Sequence, residues 1–141
     1  MLFTETERHP MFSSLLDRAT RLLAQRDHSV QELKEKIRLS VWRSQQREAQ
    51  EHTAVDETAL ASVISWCEEN GWLDDQRFTR LFIQSRGRNG YGPQRIRQDL
   101  QQKGIERELI SQGLAEADID WQQQAEEVAR KKYGHKWPTE A

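Results

Sequence analysis

The chain has 141 residues, 35% hydrophobic and 31% charged, with a formal net charge of −2 and a single cysteine. That length suits one compact domain or a short array of modules; it holds no apolar run of membrane-spanning length, no signal-peptide pattern in MLFTETERHPMF and no disulfide framework, so a cytoplasmic protein is expected. Few glycines and prolines, sparse β-branched residues and abundant Gln, Glu, Arg, Leu and Ala predict an all-α fold.

Taken in chain order, SSLLDRATRLLAQRD places Leu15, Leu16, Ala19, Leu22 and Leu23 on one helical stripe. HSVQELKEKIRLSVW opens with a capping box, Ser29 accepting from the third helical amide while Glu32 reaches back, and its inward face is Val30, Leu33, Ile37 and Val41. RSQQREAQEH either continues that helix or forms a linker. Thr53 and Asp56 signal the next start, after which ETALASVISWCEENGWL turns Leu60, Val63, Ile64 and Cys67 inward, making Cys67 a packed core thiol. Gly71 supplies the left-handed residue that ends this helix, and Trp72 and Leu73 pack back.

Asp74 or Asp75 caps a fourth helix, QRFTRLFIQSR, with Phe78, Leu81, Phe82 and Ser85 on one side. Gly92 precedes Pro93, which suits a first helical turn, and Ile96 and Leu100 form the buried pair of the fifth helix. Gly104 fits a Schellman turn with Ile105 touching Leu100. A sixth helix, ERELISQGLAEA, buries Leu109, Ile110 and Leu114; a seventh, DWQQQAEEVARKKYG, starts at Asp118 or Asp120 and buries Trp121, Ala125, Val128 and Ala129.

These helices contain an internal repeat. SVQELKEKI (29–37) matches GPQRIRQDL (92–100) at an offset of 63, while Leu22, Leu23 and Arg26 match Phe82, Ile83 and Arg86 at an offset of 60. The difference of three residues falls within GRNGY. Each copy is a helix, a turn, a helix and another helix, too small to bury its stripes alone.

The glycines of RGRNGYGPQRI do not make a nucleotide loop. No Lys-Ser/Thr follows them, Pro93 removes a donor from any phosphate nest, and no strand precedes. His9, His28, His52 and His135 are scattered, so neither a metal nor a cofactor is expected, and no nucleophile, base and orienter triplet suggests an enzyme.

Charge is strongly blocked instead. Residues 1–47 carry +3, 48–75 carry −8 with no Lys or Arg, 76–107 carry +6, 108–128 carry −6 and 129–141 carry +3. Arg77, Arg80, Arg86, Arg88, Arg95 and Arg97 gather around one helix–loop–helix corner as the candidate binding residues, since the guanidinium fork suits carboxylates and phosphates alike. The plain alternative is a solubilising surface in which Arg95 pairs with Asp99 one turn on. A sequence-reading helix-turn-helix is disfavoured, because Glu106, Glu108, Glu116 and Asp118 bring the wrong charge to DNA. Weaker phosphate contact through the arginine corner stays open.

ENGWLDDQRFTRLFIQSR followed by GYGPQRIRQDLQQKGIERELI resembles the central signature of the RecX family of bacterial recombinase regulators, in the order and spacing of Gly71–Leu73, Asp75, Phe78, Arg86, Gly92, Ile96, Leu100 and Lys103–Ile105. The likeness runs from about Leu22 to Tyr133. It implies tandem three-helix repeats in an elongated, curved array: a tail over 1–12, a first repeat over 13–73, a second over 74–118 and the first helix of an incomplete third over 119–141. It also implies a non-enzymatic protein that binds the RecA filament on DNA, restraining ATP hydrolysis, strand exchange and SOS-linked activities. The family usually has three repeats, so this chain reads as a truncated form, with KKYGHKWPTEA as the turn into a missing helix. Trp121, Val128 and Ala129 would then form an exposed patch, and self-association through the C-terminal helix is expected. A direct, non-sequence-specific DNA binder is the alternative.

Overall fold

The structure, a computed structural model, describes residues 9–134. Among these, every regular element is an α-helix: α1 (Pro10–Gln25), α2 (Val30–Arg47), α3 (Glu57–Glu69), α4 (Asp75–Arg88), α5 (Pro93–Gln102), α6 (Arg107–Glu116) and α7 (Trp121–Tyr133). Two compact units divide the chain between Asp75 and Gln76. Residues 10–12, read from sequence as tail, form the first turn of α1, and Phe12 is buried. The rest of the tail and the turn read into residues 135–141 lie outside the described residues.

Local chemistry sets the helix starts. Ser29 accepts from the Glu32 amide at 3.1 Å while the Glu32 carboxylate accepts from the Ser29 amide at 3.2 Å, the expected capping box. Asp56 caps α3 by accepting from the Ala59 amide at 3.0 Å, and that bond is the main reason its carboxyl sits below the usual range. Asp120, not Asp118, caps α7, accepting from the Gln123 amide at 3.0 Å. His9 caps α1: its Nδ1 accepts from the Met11 amide at 3.0 Å, which leaves the ring proton on Nε2, 3.2 Å from the Asp56 carboxylate. Gly92 and Ser29 hold nearly the same backbone angles (φ −77°, ψ 167° and φ −74°, ψ 162°), so the repeat found at an offset of 63 is also a repeat of helix starts.

The helix ends recur as well. Gly71, Gly90 and Gly104 all take positive φ, and each is followed by an amide that bonds back to the carbonyl five residues earlier: Trp72 to Cys67, Tyr91 to Arg86, Ile105 to Leu100. The polar run after Trp42 continues α2 as far as Arg47, then closes with the same turn, Gln50 to Gln45, using Ala49 at φ 54°. A side chain in that region is strained by about 1 kcal/mol relative to glycine.

The first unit encloses Phe12, Leu15 and Ala19 of α1, Leu33, Ile37 and Val41 of α2, and Ala59, Leu60, Val63, Ile64 and Cys67 of α3, closed by Leu73. Val30 is half-buried, and Trp72 is exposed, meeting the edge of Trp66 at 5.0 Å. Burial pushes the Cys67 thiol up to about 11, helped by neighbouring Glu68, so it acts as an apolar group. The Asp75 carboxylate accepts from the Val30 amide at 2.8 Å, fixing the start of α2.

In the second unit Phe78, Ile83, Ile96, Leu100, Ile105 and Ile110 form the core, with Leu109 and Leu114 half-buried at its rim. Two faces differ from expectation. On α4 the buried line is Thr79–Ile83–Gly87, with Phe78 beside it, while Leu81 is 44% exposed and Phe82 and Ser85 are half-buried. The cause is close approach: a Cβ on Gly113 of α6 would lie 2.9 Å from Ile83, and one on Gly87 would lie 3.1 Å from Ile119. Glycines facing larger side chains mark that contact. On α7 no residue is fully buried; Trp121, Val128 and Ala129 are half-buried and Ala125 is exposed. Val128 seats directly on Gly90, where a Cβ would come within 2.9 Å of it.

Candidate functional site

The glycine loop turns the chain and receives neighbours. Gly87 leaves room for Ile119 and Trp121, Gly90 for Val128, and Gly92 starts α5 with Pro93 in its first turn. Two aromatic rings then organise the arginines. Phe82, stacked on Phe78 at 5.8 Å, carries the Arg86 guanidinium 4.7 Å above its ring, one helical turn on. Arg86 also lies 5.7 Å from the Tyr91 ring, whose closer cation is Arg95 at 4.2 Å; the Lys103 ammonium stands 5.8 Å from Phe82. Such contacts are worth about 0.5–1 kcal/mol each at exposed sites, and they hold a flexible side chain in one place. Neither Arg86 nor Arg95 forms an ion pair among the described residues, and Arg95 lies on Tyr91 rather than pairing with Asp99. Their N–H edges remain to bind an oxyanion from elsewhere.

The six arginines therefore do not form one corner. Arg86 and Arg95 meet over Tyr91. Arg97 turns the other way around α5 and donates to the Ser111 hydroxyl of α6 at 3.3 Å. Arg80 lines a cleft of about 160 Å³ between α4 and α6, beside Thr79, Gln84, Leu109 and Glu116. Arg77 and Arg88 are eleven residues apart, close to three full helical turns, so they share a side of α4 that is opposite Arg86. Arg88, exposed in the last turn, also complements the helix dipole. Phe82, Tyr91 and Lys103 belong with these cations although a charge count along the sequence does not single them out. The signal was present twice over, an aromatic ring four residues before an arginine, at Phe82–Arg86 and at Tyr91–Arg95.

Among the described residues no His, Cys, Asp and Glu side chains cluster as metal ligands, and no helix is long and apolar enough to cross a membrane. α5, the turn at Gly104 and α6 follow one another as a helix-turn-helix, with Glu106 and Glu108 exposed at the start of the second helix.

A family model described as the RecX second three-helix domain matches residues 74–114, which span α4, α5 and most of α6. The Escherichia coli K12 regulatory protein RecX is 49% identical over 134 residues, covering 95% of this chain and 79% of the relative. The Cronobacter sakazakii regulatory protein RecX is 47% identical over 133 residues, covering 94% and 79%. These matches cover nearly the whole chain, both units included, and on that ground the chain belongs to the RecX family of regulatory proteins.

Proposed function

We propose that this chain regulates RecA without catalysis of its own, binding the RecA filament on DNA in the cytoplasm and restraining its ATP hydrolysis, strand exchange and SOS-linked activities. The observation that carries this reading is the Arg86–Tyr91–Arg95 array, un-neutralised among the described residues of a net acidic chain of this family. Arginines held on ring faces lose little freedom on binding and donate to a carboxylate in bidentate fashion. Arg77, Arg80, Arg88 and Arg97, on other sides of α4 and α5, add only long-range positive charge to the unit, and the acidic blocks orient the encounter. Contact with adjacent filament subunits adds avidity and resists the rearrangements that hydrolysis requires.

The alternation of cations and rings also favours a second reading, direct phosphate-backbone binding to DNA without RecA. RecA ATP hydrolysis on single-stranded DNA, with substoichiometric chain added, separates the two when a bare-DNA titration across salt runs beside it. Inhibition with weak bare-DNA binding supports filament regulation. Tight, steeply salt-dependent binding to bare DNA with no effect on hydrolysis replaces it with the second reading. Self-association through α7, where Val128 and Ala129 are half-exposed and Tyr133 exposed, is a further part of the proposal, read by sedimentation at two concentrations.

A further inference from the structure

A second group of cations lies on the first unit, in a stretch with no counterpart in the second. At the offset of 63, α5 corresponds to residues 30–39 of α2, and residues 40–47 are additional helix. Ser40, Ser44 and Arg47 stand on that addition, and Arg18 reaches them from α1. Arg18 Nη1 donates to Ser40 Oγ at 2.7 Å and to Ser44 Oγ at 3.2 Å, and its Nη2 donates to Ser44 Oγ at 3.2 Å. Arg47 Nη2 donates to the same Ser44 oxygen at 3.2 Å. Three N–H groups thus converge on one hydroxyl that has two lone pairs. Arg18 Nε is buried with no acceptor at all. Neither guanidinium is in an ion pair among the described residues.

Two positive charges and a surplus of donors around neutral hydroxyls are half of a recognition site; the half they call for is an anion with several acceptor oxygens. We propose that Arg18, Ser40, Ser44 and Arg47 form an oxyanion site that takes a phosphate group. A carboxylate offers two oxygens in one plane, whereas these donors come from two helices and from both guanidiniums and hydroxyls, which suits a tetrahedral group. On binding, the serine hydroxyls reverse from accepting to donating, and the surplus N–H groups gain charged acceptors. The site lies in the last turns of α2, where carbonyl ends disfavour an anion, and two guanidiniums outweigh that partial charge. Two sources share this chemistry, a free phosphate ligand and the phosphodiester backbone of a nucleic acid. The inference is independent of the reading about RecA, and its failure leaves that reading standing.

The test follows the arginine Nε–H resonances of the full chain by NMR. Inorganic phosphate is titrated against sodium chloride at equal ionic strength, and a short single-stranded oligodeoxynucleotide is titrated separately. The Arg18 resonance is expected to move saturably with at least one of them. Arg47→Gln, at an exposed position and so compatible with folding, is expected to weaken that response roughly tenfold or more. A response to phosphate alone assigns a free phosphate ligand, and a response to the oligonucleotide alone assigns the backbone. No saturable movement with either, or equal affinity in Arg47→Gln, overturns the site.

Discussion

Arg26 and Arg86 hold the same place in the two units, and so do Glu32 and Arg95, each the third residue of its helix. In the first unit Arg26 pairs with Glu32 at 3.2 Å, and Glu32 also completes the capping box. In the second unit the acid is replaced by arginine, and Tyr91 stands where His28 stands in the first, holding Arg86 and Arg95 on its ring. The same backbone frame is thus self-neutralised in one copy and outward-facing in the other. The cores differ in the same sense: among the described residues twelve are buried in the first cluster and six in the second. The first unit is the better anchored, and the second presents charge.

Substitutions test that contrast, the largest expected effect first. Ile110→Ala removes fully buried volume from the smaller core and should cost about 3 kcal/mol. Hydrogen exchange should then show lost protection in α5 and α6 while α1 to α3 keep theirs; uniform loss would mean that the units do not differ in this way. Gly90→Ala meets both a positive φ and Val128, so a loss of about 2 kcal/mol and loosening of α7 are expected, read by denaturant unfolding and α7 amide exchange. Arg95→Glu transplants the first unit's arrangement into the second. It should leave unfolding within about 0.5 kcal/mol of the parent and weaken RecA-filament binding roughly tenfold, as measured by co-sedimentation. Unchanged binding would remove the array from the interface. Ser29→Ala should cost the first unit about 1 kcal/mol by thermal melting, a loss the second cannot show because Gly92 has no side-chain cap to lose.

The smallest effect concerns His28, whose Nδ1–H donates to the Arg26 carbonyl at 2.9 Å and whose burial, chiefly, holds its pKa below 6.5. The folded unit keeps this ring neutral while the unfolded chain takes up a proton near 6.5. Stability is therefore fully present above that pH and falls as pH drops from there through the folded value, levelling below it. His28→Gln should flatten the slope in a series of urea melts across that range.

Much of this was legible because it is local. Ser29 with Glu32, Asp56, Gly92–Pro93 and Gly104–Ile105 each state a cap within a few residues, and Leu60, Val63, Ile64 and Cys67 state a face by hydrophobicity alone. α4 was misread because periodicity credits large apolar residues such as Leu81, whereas its inner line is set by how closely Gly113 and Ile119 approach Thr79, Ile83 and Gly87. α7 differs for a related reason: its stripe exists, but Val128, half-buried, seats on the turn at Gly90, and Ala125 is exposed. The arginines were visible as a block of charge, yet a count along the chain ignores the angle around the helix. That angle separates Arg86 from Arg77 and Arg88, and only the partner rings show which cations act together.

Because closely similar backbone turns begin and end α2 and α5, the length between them can be compared directly. α2 has 18 residues and α5 has 10, so the first unit carries a helix roughly 12 Å longer at 1.5 Å per residue. Val41 is its inward anchor over that span, and Trp42, half-exposed, rests on the His52 ring at 4.9 Å. The two copies thus carry helices of different length between closely similar backbone ends. Reach, in this repeat, can change while the frame that bears it stays the same.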